Sequence, residues 1–166
     1  MRIIRYFPED SAFDELKNAW CAAFVYHCAL EAGLVLPIRT PHNAKELADY
    51  RFACVQGWYE WGCSNGFCRN ADGDFKRGDI VIYNNIIPKA NKAENSSWCD
   101  HIGIILSGDN EKLIVAEGNA DNKNISGIIT RPRDKTIGCF LRITEDYRYD
   151  GGNTDFKTGV IKTNKL

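Results

Sequence analysis

The chain has 166 residues, 44% hydrophobic and 26% charged, which suits one globular domain with a real core. Net charge is -1, so no basic field argues for nucleic acid and no polybasic run for a membrane surface. No stretch is apolar for long enough to span a bilayer. Residues 1–10 hold Arg2, Arg5, Glu9 and Asp10 without a long apolar run. The expectation is therefore a chain without a signal peptide, cytoplasmic when made, its seven cysteines reduced by default.

Residues 1–6 read as an edge strand or ordered arm. Residues 8–17 read as a solvated helix capped by Asp10 or Ser11. Asp10, Asp14 and Glu15 lack the alternation of a calcium loop, so no metal is expected. Residues 18–33 then predict a helix that opens at or just before Cys21 and stops at Gly33. Phe24, Cys28 and Ala32, with Val25 and Ala29 beside them, predict its apolar face. A thiol at a helix N-terminus feels the positive end of the macrodipole, which favours the thiolate. A buried, inert cysteine is the plainer alternative, since free Cys is among the most buried residue types.

Thr40-Pro41 reads as the start of a second helix over residues 43–55, buried through Ala44, Leu47, Ala48 and Phe52. His42, at its start, reads as a capping or surface group. Residues 56–77 read as a glycine-rich aromatic loop carrying Trp58, Tyr59, Trp61 and Phe67. Such rings mostly pack, but a saccharide or peptide groove uses the same elements. Trp58, Trp61 and Trp98 are the candidate substrate-binding residues. Cys63 and Cys68 are too widely spaced, with no completing pair nearby, for a structural zinc site.

From Gly78 the pattern changes to strands: 78–83, 101–106, 112–117, 127–130 and 137–143, with a turn at Ser107-Gly108-Asp109-Asn110. Residues 148–166 read as a polar tail. Helices followed by a meander of strands predict an α+β fold with an antiparallel sheet, a catalytic unit over 1–147 and a tail over 148–166.

Three features converge. Cys21 opens a helix, His101 starts a strand, and Glu117 and Asn119 close the next one. The hairpin between His101 and Glu117 has two arms of similar length, so the start of one strand lies beside the end of the other. A helix packed on that sheet, N-terminus at the same end, would bring thiol to imidazole. The chemistry that needs this set is nucleophilic attack by a thiolate, with the imidazole as proton carrier and a third polar group fixing its tautomer. His27 is a poor partner, because six residues along one helix carry it past a full turn.

Trp20-Cys21-Ala22-Ala23-Phe24-Val25, Gly78-Asp79-Ile80-Val81, His101-Ile102-Gly103-Ile104 and Glu117-Gly118-Asn119 resemble the motifs of CHAP domains, cysteine, histidine-dependent amidohydrolases/peptidases related to NlpC-type peptidases. The resemblance runs in order over residues 18–143. It implies a papain-like fold, with N-terminal helices packed on a C-terminal antiparallel sheet. It also implies Cys21 as nucleophile, His101 as base, Glu117 as its orienting residue and Asn119 as an auxiliary polar group. The implied substrate is an amide bond of bacterial peptidoglycan, between sugar and stem peptide or within the peptide. No cofactor is implied. The acidic calcium loop of some phage members is missing, as is a recognisable wall-binding repeat. Action at the wall would then follow phage lysis or non-classical delivery, with an immunity or delivery partner if the chain is an effector. Two other functions fit the residues less fully: an amide hydrolase or acyl-transfer enzyme on a γ-glutamyl or glutamine-type substrate, and a non-catalytic binding module using the aromatic loop.

Overall fold

A computed structural model describes Ile3, Phe7 and residues 12–37, 52–87, 97–149, 152–154 and 161–163. Within them the fold is α+β: three α-helices and a six-stranded antiparallel sheet. The helices are α1 (Ala12–Leu16), α2 (Cys21–Glu31) and α3 (Val55–Ser64). The sheet strands are β1 (Cys68–Asn70), β2 (Ile80–Asn84), β3 (Cys99–Gly108), β4 (Lys112–Glu117), β5 (Gly127–Pro132) and β6 (Ile137–Leu141), in the order β1-β6-β2-β3-β4-β5. No helix among the described residues is long and apolar enough to cross a membrane.

The β-branched run Ile80-Val81-Ile82-Tyr83 explains why β2 sits centrally, buried on both faces. Alternate residues of this run serve two cores. Ile80 and Ile82 join Ile102 and Leu141 under α2 and α3, while Val81 and Tyr83 join Ile105, Leu113, Val115 and Phe140 on the other side.

The buried face of α2 includes Val25 and Ala29, as predicted, but not the row Phe24, Cys28 and Ala32. Ala22, Val25, Tyr26 and Ala29 are buried, whereas Phe24 and Cys28 are half-buried and Ala32 is exposed. Their spacing of three, one and three is the true helical face. Small Ala22 and Ala23 at the start of the helix let it approach the sheet closely, and Tyr26 fills the space beneath against Phe52.

Where an aromatic loop is predicted, Val55–Ser64 is the helix α3. Trp58 and Trp61 lie three residues apart and are 0% and 1% exposed. Gly62, read as a loop signal, instead sits against β6. A Cβ there would come within 2.6 Å of the Leu141 side chain, so glycine is a spacing residue. Most of the predicted helix over 43–55 and the arm over 1–6 lie outside the described residues, and so does His42. Of the arm, Ile3 is described, and it is buried. Within the predicted tail, β7 (Gly152–Thr154) pairs with β8 (Ile161–Thr163) as a separate two-stranded ribbon.

Candidate active site

Cys21 is the first residue of α2. Trp20 occupies the N-cap position with no side-chain cap. The first-turn N–H groups, as at any helix start, have no partner within the helix, and the dipole's positive end lies among them. Two hydrogen bonds and one close contact hold this start against the end of β4. Asn119 donates through Nδ2 to the Asn18 carbonyl at 2.9 Å. Trp20 donates through Nε1 to Asn124 Oδ1. Gly118 lies so near Phe24 and Trp20 that a Cβ on it would overlap both. Glycine at position 118 is therefore what lets the helix N-terminus meet the strand end.

His101 is on β3, directly across from Tyr83 of β2, and is 2% exposed. Its Nε2 lies 2.8 Å from Glu117 Oε2. Glu117 ends β4 opposite Gly103 and is 0% exposed. A Cβ on Gly103 would stand 3.0 Å from Glu117 Cγ and 2.5 Å from Val115 Cγ1, so that glycine leaves the carboxylate its room. The Cys21 thiol is near enough to the imidazole to help raise its pKa. With Nε2 committed to Glu117, Nδ1 is the nitrogen left for sulfur.

The electrostatics favour a protonated ring. Burial works against the imidazolium, but hydrogen bonding to Cys21 and Glu117 and the charges of both outweigh it and raise His101 to about 9. Burial also works against ionised Glu117, and there Arg131 and His101 win, so its carboxyl is held below the ordinary value.

Arg131 is the residue that sequence reasoning missed. It donates from Nε to Glu117 Oε1 at 2.9 Å, from Nη2 to Glu117 Oε2 at 2.6 Å and from Nη1 to Asp121 Oδ1 at 2.8 Å. Its guanidinium also lies over the Tyr83 ring, 5.9 Å from the centroid. The strand predicted to stop at Thr130 runs on to Pro132. A proline argues against strand, but β5 is the sheet's edge, where a missing N–H is tolerated.

The other expected site residues divide. Asn119 does not spend its side chain on the imidazole: beyond the Asn18 bond, Nδ2 donates to Asn122 Oδ1 and Oδ1 accepts from the Asn124 N–H. It holds the 118–124 turn, at φ 52°, against the helix entry. Trp58 and Trp61 are core, which removes them as a ligand shelf. Trp98 is half-buried, packed edge-on against Tyr59. His27 faces Glu31 at 3.9 Å, one turn along α2. Among the described residues no three His, Cys, Asp or Glu side chains converge as a metal-ligand set.

No family model, curated protein or solved structure matches the chain. What this site can do follows from its own atoms: a thiol at an uncapped helix start, an imidazole that holds its proton, and an ionised carboxylate hydrogen-bonded to that ring.

Proposed function

We propose that the chain is a thiol amidohydrolase or peptidase of the CHAP type, papain-like in architecture, acting on amide bonds of bacterial peptidoglycan. The observation that supports this most is the contact chain from Cys21 through His101 to Glu117, assembled from α2, β3 and β4. The four short motifs that resemble that family supply the substrate class.

In this reading the Cys21 thiolate attacks the amide carbonyl carbon, and the carbonyl electron pair moves onto oxygen. The N–H groups at the start of α2 accommodate that oxyanion. Collapse breaks the C–N bond while the His101 imidazolium protonates the leaving amine, giving a thioester and a neutral ring. The ring then takes a proton from water, hydroxide adds to the thioester, and sulfur leaves as thiolate beside the restored imidazolium. Glu117 stays ionised throughout and holds the ring in one tautomer.

Purified protein should release new free amines from peptidoglycan sacculi, and Cys21→Ala should abolish the release. Turnover of small γ-glutamyl or glutamine substrates, with sacculi left intact, would overturn the wall assignment while keeping the chemistry.

A further inference from the structure

We propose that Arg131 is a positioning residue of this thiol site: its guanidinium forks onto both oxygens of Glu117, keeps that carboxylate aimed at His101 Nε2, and so sets the pH range over which Cys21 reacts. The role rests on the reactive-thiol reading above but adds a residue outside its motifs.

The geometry leaves Glu117 little choice of partner. A carboxylate with no solvent contact needs donors on both oxygens, because an uncompensated buried charge is costly. Arg131 Nε serves Oε1. Oε2 is shared between Arg131 Nη2 and His101 Nε2. Two parallel bonds from a planar fork fix the carboxylate plane as well as its charge. The fork is itself held by Asp121, which sits at φ 51° in the turn Ala120–Asn122. A turn with Asn119, Asp121, Asn122 and Asn124 all at positive φ thus holds Arg131 through Asp121, and the start of α2 through Asn119 and Asn124.

The charged and titratable groups around the carboxylate are Tyr83 from β2, His101 from β3 and Arg131 from β5, with Asp121 of the turn on the guanidinium and Cys21 of α2 beside the imidazole. Arg131 is the cation that persists at every working pH. Removing it makes each remaining group hold its proton to higher pH. A lysine would restore the charge without the second parallel bond.

The test is the rate of Cys21 alkylation by iodoacetamide as a function of pH, read by mass spectrometry on the full chain, with urea unfolding measured in parallel. Arg131→Gln should displace the profile to the alkaline side by about one pH unit, a tenfold slower reaction at fixed pH on the rising limb. Arg131→Lys should recover all but about twofold of that loss. Easier unfolding of Arg131→Gln with an unmoved profile would overturn the proposal and leave Arg131 a staple between β4 and β5. If Arg131→Gln does not fold, Arg131→Lys decides: a rate about twofold below wild type supports the role, and an unchanged rate overturns it. Alkylation reports the thiol whether or not an amide is cleaved. A displaced profile without hydrolysis would therefore count against the proposed function and not against Arg131.

Discussion

His101 holds its proton because Glu117 accepts from Nε2 and the Cys21 side chain adds to the stabilisation of the charged ring. Its value near 9 lies above the ordinary 6.5. The stabilisation this gives is complete below about 6.5 and is lost as pH rises through about 9. The unfolding free energies of wild type and His101→Gln should therefore differ most near pH 6, and the gap should shrink by about 3 kcal/mol by pH 10. A gap that does not change with pH in urea titrations would mean that the ring is not held protonated. Trp58 and Trp61 make the opposite point at the same scale. Their rings pack at 5.8 Å from each other and meet Phe52 at 4.7 and 5.4 Å. Truncating either to Ala should cost about 3–5 kcal/mol of stability. Retained stability with lost ligand affinity would restore them as a binding surface.

At the scale of elements, the site depends on how tightly the start of α2 meets the end of β4. Gly118→Ala places a methyl where Phe24 and Trp20 already stand. Overpacking of this kind costs about 1–3 kcal/mol, and here it must also lift Cys21 away from His101. Both Tm and the Cys21 alkylation rate should fall together; a lower Tm with an unchanged rate would separate the helix contact from the site. Asn119→Gly keeps the left-handed backbone but removes the bonds to Asn18, Asn122 and Asn124. It should slow turnover without moving the pH profile. A moved profile would mean that Asn119 acts on the imidazole after all.

The elements also show what local pattern carries. The stop of α2, the β3–β4 hairpin and Glu117 at the end of β4 were legible because caps, turn residues and β-branched runs are local signals, whereas β3 begins at Cys99, two residues before the predicted start at His101. The stripe of α2 was legible at Val25 and Ala29 and misplaced at Phe24, which is large and apolar yet covers Gly118 after β4, while small Ala22 lies inside. Helix α3 was hidden by Gly57 and Gly62, which local propensity reads as breakers; at Gly62, close contact with Leu141 of β6 requires glycine. Arg131 was hidden because its partner Glu117 lies on the neighbouring strand β4 but out of register with it, and no local pattern joins the two.

For the molecule as a whole, the α+β class followed from element order, since helices before a meander leave the sheet antiparallel. What order could not give is the way two cores share one sheet and leave the thiol, imidazole and carboxylate in contact at its end. The other thiols have different surroundings. Burial pushes Cys28, Cys99 and Cys139 upward, away from the thiolate, while Cys54 is exposed and is the natural competitor for a reagent.

The most direct measurement is a timed iodoacetamide map of all seven cysteines near pH 7, read peptide by peptide on wild type and His101→Ala. Cys21 should be modified well before the other six, although it is 8% exposed and Cys54 is open to solvent. That preference should vanish in His101→Ala. Modification of Cys54 ahead of Cys21, or a Cys21 preference that survives loss of the imidazole, would contradict the account.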